Sequence, residues 1–184
     1  MKKILAILLT SSTICLSQTE VDLKLFDMIN NHRTSNGLSP LKWDKVLYEI
    51  ATNQSEYMSK TGDLSSEQKE LLDSDNNLVV NLKEKFLRNG IEDDIWIGES
   101  IRVVYETSKM TTDSLSKLVF EELINNTESK SMLMTDLYTN GAISHRTGDY
   151  NKELIGIDEL GYEHYNIIEC DMEWFTVDVS SNRN

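Results

Sequence analysis

The link between two amphipathic segments, residues 36–44, is the feature that most limits how this chain can fold. The segment before it, Val21 to Asn36, has apolar residues at helical spacing and is followed by Gly37, a residue type that readily adopts the left-handed conformation found after helices. Pro40, the only proline, disfavours helix at the residue before it, so the link is predicted to be extended. Asp44 is a good N-cap for a second helix. The pattern therefore predicts two helices joined by a short extended link.

The apolar faces of these two helices indicate what they bury. One face of the first helix carries Val21, Leu25, Met28, Ile29 and His32. In the second helix, which is predicted to end at Gly62, the shared face carries Leu47, Ile50, Ala51, Gln54 and Met58. The apolar residues of the link continue neither helix, so we expect them to fill the gap between the two; they are Leu38, Leu41 and Trp43.

The rest of the chain changes from helical to strand-like patterns. Thr61 to Gly90 is polar, and its apolar spacing predicts one or two short helices in a connecting region. Ile101 to Tyr105 is predicted to be a strand, and a third helix begins after Thr111 or Thr112. The buried stripe of that helix is Leu115, Leu118, Val119 and Leu123. Strands then follow at 137–145, 153–160 and 165–175, with turns at 147–149 and 161–163. Helices first and an antiparallel meander last indicate an α+β domain.

The first 17 residues have the pattern of a secretory signal peptide. Two lysines supply the positive start, an apolar core follows, and small residues precede the cut after Ser17. The alternative is a buried N-terminal strand. The apolar run is too short for a membrane span, so no span is predicted. We expect one domain over residues 18–180 and a short tail at 181–184.

The charge of the chain limits its partners. The net charge is −13, and loss of Lys2 and Lys3 with the leader would make it −15. Such an acidic surface should repel nucleic acid and anionic membranes, while it suits basic partners or simply keeps the protein in solution. Of the two cysteines, only Cys170 would remain, so no internal disulfide is predicted. Cys170 is either a small buried strand residue or a thiol that reacts or cross-links between molecules.

The first helix pair carries a family resemblance. The residues Asn30, Arg33, Gly37, Leu38, Pro40, Leu41, Trp43, Asp44, Leu47 and Ala51 resemble the opening of the CAP superfamily, which comprises cysteine-rich secretory proteins, insect antigen 5 and plant pathogenesis-related proteins. Residues 98–101 resemble the G-E-N box of that family. The resemblance implies a three-layer α-β-α sandwich with an antiparallel sheet. It also implies a structural role for Arg33, with Asp44 as the first candidate partner.

The family cleft is only partly present in this sequence. Many CAP domains line a central cleft with two histidines and two glutamates, a set that can hold a divalent metal. The three histidines here are His32, His145 and His164, and none lies between residues 33 and 144. By resemblance, Glu99 is one cleft candidate, and either Glu122 or Glu121 is the second. In one register Lys130 replaces the second histidine. The sequence therefore predicts no zinc site of the family's kind, no other metal and no cofactor.

The histidines and motifs do not indicate catalysis. His32 is interpreted as a helix-face residue packed near Arg33, His145 as exposed at a strand end, and His164 as part of a turn. The zinc-protease motif H-E-x-x-H and the hydrolase motif G-x-S-x-G are both missing. A general base near neutral pH is most easily a histidine, so an enzyme is disfavoured.

Three functions stay open on this basis. The resemblance favours a secreted binding protein for a sterol, a fatty acid or an extracellular partner protein. The alternatives are a secreted hydrolase or protease, and a purely structural surface protein. Asn53 and Asn125 are possible glycosylation acceptors.

Overall fold

The computed structural model describes residues 18–73, 76–106, 109–157 and 163–181 of the chain. The predicted signal peptide lies outside these residues, as do the last three positions of the predicted tail. The helices are α1 (Glu20–Ser35), α2 (Lys45–Thr61), α3 (Leu82–Arg88), α4 (Thr112–Asn125) and α5 (Thr127–Leu133). The strands are β1 (Lys42–Trp43), β2 (Gln68–Asp73), β3 (Asn76–Val80), β4 (Ile97–Glu106), β5 (Asn140–Ile157) and β6 (Glu163–Ser180).

Four of these strands form the main sheet in the order β1-β5-β6-β4. β6 pairs antiparallel with both β4 and β5, whereas β1 runs parallel to β5. The sheet is therefore mixed, and the prediction of a purely antiparallel sheet is wrong at this edge. The parallel pair arises because the link after α1 places Lys42 and Trp43 alongside Asn140 and Gly141.

Helices cover both faces of the sheet. α2 packs on β5 and β6 from one side, and α1 packs with α4 on the other. Side chains alternate across β6, so Phe175, Val177 and Val179 belong to the core under α1 and α4. Trp174 points the other way, against Met58 of α2. The predicted α+β, three-layer α-β-α fold is confirmed.

The short link between α1 and α2 has the predicted caps. Gly37 has a φ of 79°, in the region that favours glycine. Asp44 accepts hydrogen bonds from the backbone of Val46 and Leu47 at 2.8 and 3.1 Å, and Gly62 ends α2 in the left-handed conformation. Asn30 holds the link from the side, because its amide exchanges two hydrogen bonds with the backbone of Leu41. Exposed Pro40 lies just before this clamp. Trp43 packs edge-on against Phe26, with ring centroids 4.9 Å apart, and also against Tyr48.

Arg33 does not pair with Asp44, contrary to the expectation from sequence. It is 1% exposed, and its guanidinium donates to the backbone carbonyls of Ser39, Leu133, Thr135 and Tyr138. A planar group with five donors suits several carbonyl oxygens at once. Arg33 therefore fastens the link after α1 to the segment that follows α5.

Two other local predictions are corrected. Residues 61–90 hold an antiparallel hairpin, β2–β3, in addition to the short helix α3, so helices alone are wrong here. Residues 147–149 are not a turn, because β5 continues through them opposite β6. A Cβ at Gly148 would lie 3.0 Å from the Ser59 carbonyl oxygen, so glycine serves the close approach of α2 rather than a turn. No helix in the described ranges is long and apolar enough to cross a membrane.

Candidate functional site

A buried charged cluster lies between α2, α3 and the sheet. Lys85 of α3 is 5% exposed, and its Nζ lies 2.7 Å from Oε2 of Glu99 on β4, whose side chain is fully buried. The same Nζ donates to Oε1 of Gln54 on α2, also at 2.7 Å. Asp178 stands directly opposite Glu99 in the β4–β6 ladder and is fully buried as well. We call Gln54, Lys85, Glu99 and Asp178 the lysine cluster.

The lysine cluster contains two carboxyl groups and one ammonium. Burial raises the pKa of Asp178 well above its ordinary value, and the charge of Glu99 raises it further, while Lys85 acts in the opposite direction. Oε1 of Glu99 and both carboxyl oxygens of Asp178 accept no hydrogen bond from the described part of the chain. A proton on Asp178 relieves both problems, because it removes one charge and provides a donor between two facing carboxyl groups.

The two predicted cleft carboxylates do not converge. Glu99 faces α2 and α3, whereas Glu122 is exposed on α4, at the opposite face of the sheet. The charge of Glu122 acts on Arg102, which also donates a hydrogen bond to Ser129 of α5. The alternative candidate, Glu121, forms an exposed pair with Lys117 at 3.8 Å. Lys130 is exposed on α5.

The residues of the lysine cluster do not fit a zinc ion of the family's kind. Zinc prefers imidazole and thiolate ligands, but the donors here are carboxylate and amide oxygens. Glu99, which the resemblance predicts to be a cleft glutamate, has the Lys85 ammonium on the oxygen that a metal would need. Among the residues that the structure describes, no three His, Cys, Asp or Glu side chains converge as metal ligands.

A second buried ion pair lies under α1 and α4. His145 of β5 bonds through Nε2 to Oε2 of Glu173 on β6, and Thr147 donates to the same oxygen at 2.9 Å. The side chains of His145 and Glu173 are only 11% and 10% exposed. Burial opposes ionisation of Glu173, but the hydrogen bond and charge of His145 outweigh it and lower the pKa of Glu173. The predicted exposure of His145 is wrong, because its ring stacks on Phe175 with centroids 4.8 Å apart.

The other positions predicted from sequence lie in packing contacts, on the surface or outside the described residues. His32 packs edge-on against Phe120 of α4, at a centroid distance of 5.5 Å. Asn53 and Asn125 are exposed, which glycosylation would require, and their modification stays a prediction. The side chains of His164 and Cys170 lie outside the described residues.

An apolar pocket opens beside α3. It has a volume of about 310 Å³. Its walls are Leu82, Phe86, Leu87, Ile91, Ile95 and Ile97. The charged residues at its rim are Lys83, Glu92 and Asp93. Lys83 pairs with Asp93 at 2.5 Å, so the rim retains a net negative charge. We call this cavity the α3 pocket.

Sequence reasoning missed two members of the lysine cluster, Lys85 and Asp178. A signal for the second was available, since Asp178 lies between two valines in a strand-like stretch, residues 173–180, that is buried throughout. Gln54 gave a further signal as a polar residue on the apolar face of the second helix. Nothing in the pattern around Lys85 distinguishes it from the exposed lysine at position 83.

Comparisons with known proteins give a match to one family model and a likeness in fold to solved structures. Residues 26–168 match the model of the CAP family, described as the cysteine-rich secretory protein family. An extracellular protein with an SCP domain from Bacillus anthracis is 16% identical, with a TM-score of 0.54 over 88% of this chain, and this chain spans 40% of that protein. An outer surface protein from Borrelia burgdorferi is 14% identical, with a TM-score of 0.54, covering 91% of this chain and 97% of that one.

At such identities the two solved structures show a shared fold. Among curated protein sequences, none matches this chain significantly. The family assignment rests on the matched residues, which are more than half of the chain and include most of α1, all of α2 and Glu99. The chain therefore belongs to the CAP family of cysteine-rich secretory proteins.

Proposed function

We propose that this chain is a secreted, non-catalytic CAP domain that binds an extracellular protein through the α3 pocket. The observation that carries the proposal is the pocket itself: an apolar cavity with an acidic rim on the surface of an acidic chain. Leu87, which lines it, is 44% exposed. Trp96, 64% exposed, lies in the sequence between two of its wall residues.

The charge of the rim favours one kind of partner. Glu92 and Asp93 lie at the rim, exposed Asp94 follows them, and the only cation there, Lys83, is already paired. A partner segment that inserts an apolar side chain and flanks it with lysine or arginine would complement both features. A fatty-acid carboxylate would meet repulsion at this rim. A neutral sterol would not, and the cavity volume is at the lower end of small-molecule sites, so a sterol is the second candidate.

Non-catalytic function is supported by the state of Glu99. The carboxylate that the family resemblance assigns to the cleft is buried and bonded to Lys85, so it has no access to a substrate from solvent. The one described histidine–carboxylate pair, His145 with Glu173, is also largely buried. Secretion is supported by the N-terminal pattern and by solved relatives described as extracellular or surface proteins.

The test is peptide selection against the protein of residues 18–184. Displayed random peptides should enrich for an apolar residue flanked by lysine or arginine, and their affinity should fall as salt is raised. Leu87→Arg should abolish binding because it fills the α3 pocket and cancels the net negative charge of the rim. Leu137→Arg is the matched control, since Leu137 is similarly exposed but lies elsewhere. Peptides that bind both variants equally would show that the α3 pocket is not the binding site.

Two further measurements separate the alternatives. Labelled cholesterol and oleic acid should show no saturable binding; binding lost in Leu87→Arg would replace the protein partner with a lipid. Casein and p-nitrophenyl esters should not be hydrolysed above the buffer rate. Hydrolysis by the wild type that is lost in a folded Glu99→Gln variant would instead support an enzymatic function.

A further inference from the structure

The lysine cluster poses a problem of charge that the proposed function does not address. Glu99 and Asp178 are direct neighbours across the β4–β6 ladder, where facing side chains lie about 5 Å apart and like charges destabilise the sheet. Both side chains are buried, so water does not screen them. A proton on one of the two groups relieves this repulsion, and so does a cation beside them, which in metal sites is a divalent ion.

We propose that Lys85 is a built-in cation, whose ammonium takes the place of a divalent ion beside Glu99 and its facing neighbour Asp178, and that removing it turns the lysine cluster into a site for a hard divalent cation. Lys85 reaches this place from α3, a different element from either carboxylate. Its ammonium bonds to Glu99, and its charge also acts on Asp178. The wild-type protein therefore carries an ammonium group beside Glu99, which in turn faces Asp178.

The remaining donors are oriented for a cation. The Gln54 amide is fixed because its Nε2 donates to the Ser65 carbonyl, so Oε1 faces Lys85. Gln68 also donates to Oε1, which holds the amide from a second side. Without Lys85, the cavity would expose this amide oxygen and four carboxylate oxygens. All are hard donors, which suit Ca²⁺ or Mn²⁺ better than Zn²⁺.

The test compares Lys85→Ala with the wild-type protein in titrations with MnCl₂ and CaCl₂. Calorimetry should show one ion bound per Lys85→Ala molecule and none in the wild type. The melting temperature of Lys85→Ala should rise by roughly 5 °C or more when the ion is present at about 100 times its Kd. The wild-type melting temperature should not change.

Two control variants identify the site. Lys85→Met removes the charge but keeps the space filled, so it should bind far more weakly than Lys85→Ala. Lys85→Ala with Glu99→Gln keeps the space but removes one carboxylate, so it should lose at least tenfold in affinity. Equal binding by all three variants would place the ion elsewhere and overturn the proposal.

A titration of the wild-type protein tests the proposal without depending on how well the variants fold. One equivalent of Mn²⁺, Ca²⁺ or Zn²⁺ bound to the wild type, and lost in Glu99→Gln, would show that Lys85 does not fill the site. If Lys85→Ala is unfolded in metal-free buffer, it should regain its circular dichroism signal as MnCl₂ is added. Failure to do so at millimolar MnCl₂ would also overturn the proposal.

Discussion

Strand β6 buries one acidic side chain on each of its faces, and the two acids have different surroundings. Asp178 points toward α2, where it faces a second carboxyl group, Glu99, whose own ion-pair partner is Lys85. Glu173, five residues earlier and therefore on the other face, is bonded to one histidine and has a threonine as a second donor. Folding raises the pKa of Asp178 and lowers that of Glu173. One strand thus holds one acid that favours its proton and one that favours its charge, because burial and a facing carboxyl group act on Asp178, whereas His145 and Thr147 form hydrogen bonds with Glu173.

The largest effect should come from removing Lys85. Lys85→Met leaves the buried Glu99 carboxylate, with Asp178 facing it, without a cation, and we expect a loss of about 3–5 kcal/mol in the free energy of unfolding at neutral pH. Urea unfolding measures it. Adding Glu99→Gln to Lys85→Met removes that uncompensated charge and should recover more than half of the loss. A single variant within about 0.5 kcal/mol of wild type would show that the ammonium is not needed.

A smaller effect is expected on the other face of β6. Glu173→Gln replaces the partner of His145 with a neutral amide of similar size, so no buried carboxylate is left without a partner. We therefore expect a loss of about 1.5–3 kcal/mol, in line with one hydrogen bond to a charged group. A loss as large as that of Lys85→Met, measured by the same urea unfolding, would remove the distinction between the two faces.

The two acids should respond to pH with opposite signs. Because folding raises the pKa of Asp178 above its ordinary value of 3.8, its contribution is full below 3.8 and is lost as pH rises through the folded pKa. Glu173 has a folded pKa below its ordinary 4.5, so its contribution is present above 4.5 and is lost as pH falls through the folded pKa.

The measurement is urea unfolding of Asp178→Asn and Glu173→Gln between about pH 3 and pH 7. The stability advantage of wild type over Asp178→Asn should shrink as pH rises. Its advantage over Glu173→Gln should grow over the lower part of the range. Slopes of the same sign would contradict the comparison.

The smallest effect is expected at Glu122, the second cleft candidate from sequence. This side chain is exposed on α4, so Glu122→Gln should change the free energy of unfolding by no more than about 0.5 kcal/mol. Glu99→Gln is the buried counterpart under the same urea assay. An equal loss in both variants would mean that the two glutamates act together after all.

The parts of the fold that the sequence predicts are those decided by neighbours along the chain. The caps at Asp44, Gly37 and Gly62 depend on a few adjacent residues, and each is found as expected. Gly148 shows the limit of such reasoning. A glycine between polar residues predicts a turn, but the constraint here is the carbonyl of Ser59, almost ninety residues earlier in the chain.

The candidate site was harder to predict because its residues meet only in three dimensions. Glu99 came from a family motif, but the motif does not say what the carboxylate touches. Lys85 lies 14 positions before it and Asp178 lies on a strand near the C-terminus, so no local pattern joins them. His145 was predicted to be exposed because the residue type favours surfaces, and stacking on Phe175 together with the bond to Glu173 reversed that preference.

The way Arg33 binds has a consequence for protein engineering. Its guanidinium recognises main-chain carbonyls, which every amino acid possesses, and of the loop side chains the charge of Asp136 acts on it. A position such as 137 can therefore be rewritten, or carry a grafted recognition sequence, without loosening the anchor. Arg33 itself cannot be replaced by lysine, because an ammonium group is not planar and has three donors where the guanidinium has five. As long as this one buried arginine is kept, the loop that it anchors can therefore vary in sequence.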